Sequence, residues 1–198
     1  MAFSDITPLV VHSAALERDG RALVMPAPSG SGKSTLCAAL AWRGWRLLSD
    51  EVAVFDFETG HLVGNPCQVS LKNRAVDVIR SFDPRTRFSR TFLGTSKGDI
   101  AYMQPPQPSV ARAHDRAGPG MLIAPVFRRD ATLEVREMER AVAFRWLADN
   151  AVNDASMLDH SFQTLANFVE NSRAYTLTYS NLDEAIACIE RPHEGRST

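Results

Sequence analysis

The sequence predicts a single α/β domain with a mixed sheet, built around a phosphate-binding loop. Residues 27–35 read Ala-Pro-Ser-Gly-Ser-Gly-Lys-Ser-Thr and follow the pattern G-x-x-x-x-G-K-[ST], with Ala27 at the first glycine. An apolar strand (22–26) leads into this segment, and a helix-forming segment (34–43) follows it and stops at Gly44. Hairpin signals alternate with helical segments elsewhere, which indicates that the sheet is not purely parallel.

The residue types of the loop suit an anion. Gly30 and Gly32 let backbone N–H groups turn inward, where they form a cradle together with the N-terminus of the helix. Lys33 supplies a point charge for the β- and γ-phosphates, and the Ser34 hydroxyl can bind Mg²⁺. The residues predicted to bind the nucleotide are therefore Ser29, Gly30, Ser31, Gly32, Lys33, Ser34 and Thr35.

The first half of the chain reads as hairpins around the loop. A strand at Leu9–Leu16 and a strand from Arg21 are joined by a Glu-Arg-Asp-Gly turn, which predicts a β-hairpin feeding the loop. After the helix come a strand at Arg46–Asp56, a turn at Glu58–Gly60, a strand at His61–Val63, a strand at Gln68–Leu71 and a helix at Asn73–Ser81.

Residues 83–120 differ in character, because Pro, Arg, Gly, Ser and Gln dominate and apolar clusters are few. A loop of this length in a compact domain is usually functional or disordered, so we expect a lid that carries Lys97, Arg112 and His114. Beyond it, the pattern predicts strands at 121–127, 132–135 and 174–178 and helices at 140–150, 161–171 and 181–190, the last one capped by Ser180 or Asn181.

The bulk composition is that of an ordinary globular protein of 198 residues with a net charge of −1. That charge gives no electrostatic case for nucleic acid or an anionic membrane, and no apolar run is long enough to span a bilayer. The three cysteines, Cys37, Cys67 and Cys188, suit neither a disulfide framework nor a zinc site, so we expect buried, reduced thiols in a cytoplasmic protein. Residues 1–190 are predicted to form one domain around the phosphate loop, and 191–198 a frayed tail.

Two acids and a histidine are the candidates for chemistry beside the phosphates. Asp50 and Glu51 follow the first strand after the loop helix, and both could reach one site only if that strand bends or ends there. A strand adjacent to the loop strand would bring them beside the γ-phosphate. His12, in the strand of the first hairpin, could hold Asp50 or accept its proton. A solvated acid pair and a structural histidine are the alternatives.

The order of these motifs resembles a known family. His-Ser-Ala-Ala-Leu from His12, the loop at 27–35 and Leu-Leu-Ser-Asp-Glu ending at Glu51 look like the catalytic domain of bacterial HPr kinase/phosphorylase. The wider stretch, including Val69–Asn73, Ser96–Gly98 and Ser109–His114, is similar to the divergent HPr kinase-related group. The chain departs from the family pattern where Ala27 replaces a glycine, Ser70 a glutamate and Lys72 an arginine, and Glu51 stands where the family has its second aspartate.

The resemblance implies a phosphoenolpyruvate-carboxykinase-like α/β fold that uses ATP and Mg²⁺ to phosphorylate a serine hydroxyl. Carried over by motif, Lys33 binds the phosphates, Asp50 orients the attacking hydroxyl, and His12 supports Asp50. Ser34, Glu51 and Asp50 would hold the metal. The expected function is an ATP-dependent kinase acting on a serine or threonine of a protein or peptide. A small-molecule kinase on the same fold, an ATP-binding regulator without transfer, and a homo-oligomeric state stay open.

Overall fold

The structure is a computed structural model that describes residues 8–152 and 158–191. Its strands are β1 (Leu9–His12), β2 (Ala14–Arg18), β3 (Arg21–Met25), β4 (Arg46–Ser49), β5 (Val52–Phe55), β6 (Leu62–Val63), β7 (Val69–Lys72), β8 (Phe92–Thr95), β9 (Gly98–Met103), β10 (Gly118–Phe127), β11 (Glu134–Glu137) and β12 (Arg173–Tyr179). Its helices are α1 (Lys33–Trp42), α2 (Arg74–Phe82), α3 (Gln107–Ala111), α4 (Arg140–Asp149), α5 (Leu158–Glu170) and α6 (Leu182–Glu190).

A six-stranded sheet in the order β11-β12-β10-β3-β2-β4 forms the centre of the fold. β10 runs parallel to both β3 and β12, while β2 is antiparallel to β3 and β4. This confirms the predicted mixed α/β architecture. The strand that leads to Asp50, β4, is not adjacent to the loop strand β3, however, because β2 lies between them. The first hairpin closes through Asp19 and Gly20, both at positive φ, as a tight turn requires.

Two smaller sheets, β1-β5-β6 and β7-β9-β8, flank the central one. The predicted strands 9–16 and 46–56 are each split between the first of these sheets and the central sheet. The second split has a local cause, because the Ser49 hydroxyl accepts from the backbone N–H groups of Glu51 and Val52 and bends the chain there. Ser13 N–H donates to the Glu51 carbonyl at 3.1 Å, so the two bends lie side by side.

The core lies on both faces of the central sheet. On one face, α1, α2 and α6 cover a cluster that includes Leu16, Leu23 and Leu177, and on the other face α4 and α5 cover Ala15 and Val24. Successive residues of β2 and β3 thus point to opposite layers, as the pleat of a strand dictates. The predicted cap of the last helix is confirmed, since the Asn181 side chain accepts from the Asp183 and Glu184 N–H groups.

Residues 83–120 are far more ordered than their composition suggests. They contain β8, β9 and α3, and Ile100, Ala101 and Met103 of β9 pack into the core with at most 8% of their surface exposed. The expectation of a loop without a packed core is therefore wrong. The apolar run 100–103 is short, and the Pro, Gly and Arg residues on either side of it dominate the composition of the region.

The structure bears on three further expectations, which concern the C-terminal tail, the cysteines and membrane-spanning segments. The predicted tail 191–198 lies outside the described residues except for Arg191, so the frayed-tail prediction stays a prediction. Cys37 and Cys188 are buried free thiols as expected, whereas Cys67 is exposed. Within 8–152 and 158–191, no helix is both long enough and apolar enough to cross a bilayer.

A buried ion pair fastens the sheet at the end remote from the phosphate loop. Glu17 of β2 accepts from the Arg46 guanidinium of β4, and both side chains are almost fully buried. Arg46 also donates to the carbonyls of Arg112 and Asp115, which anchors the turn after α3. Burial alone would raise the pKa of Glu17, but hydrogen bonds from Arg46 and the Gly20 N–H outweigh it, so this pKa lies below its usual value.

We expect Glu17→Gln to destabilise the protein by about 2 kcal/mol at pH 7, because the buried guanidinium loses its counter-charge. A depressed carboxyl pKa stabilises the fold above the unfolded-state pKa of about 4.5, and this stability is lost as pH falls through the folded value. The wild type should therefore approach the variant in acid. Urea unfolding from pH 7 to pH 3 measures this. A gap that stays constant across that range would contradict the assignment.

Candidate active site

Residues 26–32 join the end of β3 to the start of α1, and residues 33–35 form the first turn of that helix, as the motif requires. Gly30 and Gly32 have φ values of 88° and 91°, in the left-handed region that glycine enters without strain. Ala27 is buried and does not have a positive φ, so the exchange of the first glycine for alanine costs no backbone strain. Pro28, Ser29 and Gly30 form the exposed tip of the loop.

The first turn of α1 presents its backbone N–H groups to the loop. The N–H of Leu36 donates to the Gly32 carbonyl at 2.9 Å, whereas those of Ser34 and Thr35 have no acceptor among the described residues. The first turn also carries no acidic side chain that could compete for them. The partial positive charge of a helix N-terminus is therefore available to an anion at this loop.

Two aromatic residues from neighbouring strands hold the loop in place. The Tyr179 hydroxyl donates to the Gly32 carbonyl at 3.2 Å, and the Phe127 N–H donates to the Ser31 carbonyl at 2.9 Å. The two rings meet edge to face, with their centroids 5.7 Å apart. No pattern in the sequence indicates this support, because it arises from the pairing of strands that are distant in the chain.

Gly32 is packed so tightly that any side chain would collide. A Cβ added there would lie 2.6 Å from the Tyr179 hydroxyl and 2.8 Å from the Phe127 Cβ, whereas one at Gly30 would meet nothing within 4 Å. Both positions have positive φ, so Gly30→Ala and Gly32→Ala share the backbone strain. We expect Gly32→Ala to cost about 1–3 kcal/mol more in unfolding free energy, the range for overpacking. Equal losses in paired denaturation curves would contradict the packing described.

Asp50 lies at the bend after β4 and is the buried acid of the site. Its side chain is 8% exposed, and Oδ2 accepts from the Ser70 N–H at 3.3 Å, while Oδ1 is buried without a hydrogen-bond partner among the described residues. Burial raises the pKa of Asp50, and the Ser34 hydroxyl, the Lys33 ammonium and the Ser70 N–H moderate that rise. In the sequence, Ser70 is notable only because it replaces a glutamate of the family pattern. In the structure, its backbone N–H donates to Asp50.

Lys33 opens α1 and is only 9% exposed, although its place in a loop of Gly and Ser residues predicts a solvated side chain. Its charge acts on Asp50, His12 and Cys37. The side chain is thus held among the other predicted site residues. A largely buried cation is costly unless it meets an opposite charge.

His12 and Glu51 lie on the solvent side of Asp50. Both side chains are exposed, and no hydrogen bond joins the His12 ring to Asp50, whose Oδ2 accepts from the Ser70 N–H. Partial burial and the Lys33 ammonium lower the pKa of His12, and the Glu51 charge opposes this. The geometry therefore brings Lys33, Ser34, Asp50, Glu51 and His12 to one place, but the expected hydrogen bond between His12 and Asp50 is not formed.

The cations of the expected lid do not gather at this site. Arg112 forms ion pairs with Asp115 and Glu17, near the start of β4, whereas Asp50 follows the end of that strand. Arg112 is therefore a structural residue in this conformation, and its neighbour His114 is an exposed turn residue. Lys97 is exposed in the turn between β8 and β9.

Comparisons with known proteins find distant similarity among solved structures. Among solved structures, the chain is similar to the HPr(Ser) kinase/phosphatase from Coxiella burnetii, with 15% sequence identity, 90% of each chain covered and a TM-score of 0.37. No family model matches the chain, and no curated protein matches it significantly. The function of the chain therefore has to rest on its own residues.

Proposed function

We propose that the protein is an ATP-dependent kinase that transfers the γ-phosphoryl group to a serine or threonine hydroxyl of a protein or peptide. ATP would occupy the loop from Ser29 to Thr35, with its γ-phosphate between Lys33 and Asp50. The observation that carries the proposal is the buried Asp50 Oδ1, which has no hydrogen-bond partner in the described chain although it lies beside the phosphate loop. A buried carboxylate oxygen without a partner can accept a hydrogen bond from an acceptor hydroxyl, which is the role proposed for it here.

The donors present suit Mg²⁺, which prefers oxygen ligands and is usually bound by one or two carboxylates plus substrate phosphates. The Ser34 hydroxyl and the Asp50 and Glu51 carboxylates would hold it. The described residues contain no cluster of three or more His, Cys, Asp or Glu side chains that would form a metal cage, as this mode of binding allows. Bound Mg²⁺ would neutralise charge on the phosphates.

In the transfer step, the acceptor hydroxyl would donate to Asp50 Oδ1, which aligns its oxygen with the γ-phosphorus opposite the leaving β–γ bridging oxygen. The new O–P bond forms as the bridging bond breaks, and the hydroxyl proton passes to Asp50. Lys33 and the N–H groups of α1 would stabilise the charge on the phosphoryl oxygens and on the ADP that leaves. The exposed His12 would then relay the proton from the site to solvent.

One observation favours a regulator that binds ATP without transfer. Ser70 offers its backbone N–H and no carboxylate beside Asp50, so the metal would have fewer ligands than the resemblance implies. A kinase for a small hydroxyl compound would use the same groups as a protein kinase.

Phosphate transfer from radiolabelled ATP separates these possibilities. The purified protein is incubated with Mg-ATP and arrayed peptides that contain either Ser or Thr or, in matched controls, Ala at the same position. A second set of reactions contains pooled small hydroxyl compounds. Label on the Ser or Thr peptides alone supports the proposal. ATP binding without any transfer would support the regulator, and label on small compounds alone would support the small-molecule kinase.

A further inference from the structure

The order of strands in the central sheet indicates on which side of the phosphate loop the γ-phosphate and the nucleoside of a bound nucleotide would lie. β2 and β4 lie on one side of the loop strand β3, and Asp50 follows β4. β10 and β12 lie on the other side, run parallel to β3, and end at the phosphate loop in Phe127 and Tyr179. A nucleotide with its γ-phosphate at Asp50 would extend its nucleoside away from that acid, toward the ends of β10 and β12.

Phe127 is placed to meet the nucleoside there. Its Cβ packs against the position of Gly32, and its N–H holds the Ser31 carbonyl, so the residue is fixed to the loop itself. Nevertheless, 48% of Phe127 is exposed, whereas the neighbouring Tyr179 is 1% exposed with its hydroxyl committed to the Gly32 carbonyl. The need to support the loop explains the position of Tyr179 and of the Phe127 backbone. It does not explain why the Phe127 ring is half exposed to solvent.

We propose that Phe127 is the stacking platform for the nucleotide base. This inference rests on the proposed function, because it takes the γ-phosphate to lie at Asp50. An aromatic ring binds a base through its face, and this contact tolerates any base because every base has a π-face. The ring loses little entropy in the contact, since its edge-to-face packing on Tyr179 already orders it. Phe127 therefore contributes to affinity for nucleoside triphosphates and not to affinity for the triphosphate group alone.

Calorimetry with Mg-ATP and with magnesium tripolyphosphate, which has no base, tests this. The test variant is Phe127→Leu, which keeps the Cβ that packs on Gly32 but removes the aromatic face. Phe127→Tyr is the conservative variant that keeps the face. Phe162→Leu is the matched control, because Phe162 is 55% exposed on α5, on the other layer of the fold. All four proteins are compared at one salt concentration.

We expect Phe127→Leu to weaken ATP binding by roughly tenfold, within the range for base stacking on an aromatic residue, and to leave tripolyphosphate binding unchanged. Phe127→Tyr and Phe162→Leu should bind both ligands like the wild type. Equal weakening of both ligands would show that Phe127 only supports the loop, and no change in either would show that the ring is not used. Both results overturn the inference while the phosphate cradle stands. A wild type that binds neither ligand would overturn the proposed function itself.

Discussion

Asp50→Asn is expected to lower phosphoryl transfer by at least about 10²-fold while Mg-ATP binding stays within about tenfold of wild type. The asparagine keeps the shape of the side chain and can still accept from the Ser70 N–H, so the bend after β4 is retained. It loses the ability to take a proton from the acceptor hydroxyl. Single-turnover transfer at saturating ATP, with binding measured separately by calorimetry, separates the two effects.

The matched control is Asp77→Asn, which removes the same charge from a side chain that is 82% exposed on α2. It should transfer phosphate at the wild-type rate. Transfer by Asp50→Asn near that rate would show that Asp50 does not position the acceptor. A loss of ATP binding as large as the loss of transfer would instead make Asp50 chiefly a metal ligand.

The same substitution has a predicted signature in stability without nucleotide. Because the pKa of Asp50 is raised in the fold, the native state disfavours its ionised form, and stability falls as pH rises from the ordinary aspartate value of 3.8 through the folded pKa. An asparagine side chain cannot ionise, so Asp50→Asn should be more stable than wild type at pH 7 and should lose that advantage near pH 3. Urea unfolding at both pH values provides the check.

Local signals explain what the sequence predicts well. The phosphate loop, the Asp19-Gly20 turn and the Asn181 cap each depend on a few consecutive residues whose backbone preferences are strong. The bend at Asp50 also has a local cause, which is the hydrogen bond that the Ser49 hydroxyl accepts from the backbone. The sequence alone leaves open whether the strand bends or continues there.

Long-range pairing explains what the sequence could not provide. The insertion of β2 between β3 and β4, and the contacts of Tyr179 and Phe127 with Gly32, depend on strands far apart in the chain. The same holds for Arg112, which the sequence predicts to be a solvated cation in a loop, whereas in the structure it forms an ion pair with the distant Glu17. The missing hydrogen bond between His12 and Asp50 depends on the orientation of the His12 ring, which no spacing of residues determines.

The second large effect is expected at Lys33, whose burial changes how the experiment must be designed. Lys33→Ala would also remove packing from a side chain that is only 9% exposed. Lys33→Met keeps most of the aliphatic stem and removes the charge, so it isolates the electrostatic role. We expect it to weaken Mg-ATP binding and transfer together by roughly 10²–10³-fold, comparable to the loss of one preorganised charge donor.

The lysine variant also has a readout that does not depend on nucleotide. Partial burial lowers the pKa of His12 most, and the Lys33 ammonium lowers it further. The ammonium also lowers the pKa of Asp50, but burial raises that pKa by more. Lys33→Met should therefore raise the His12 pKa, which NMR titration of the imidazole resonances measures directly. Arg145→Met, which removes a cation 84% exposed on α4, is the control and should leave that titration unchanged. An unshifted His12 in Lys33→Met would mean that the ammonium does not face the site, and unchanged ATP affinity would remove the basis for the phosphate-loop assignment.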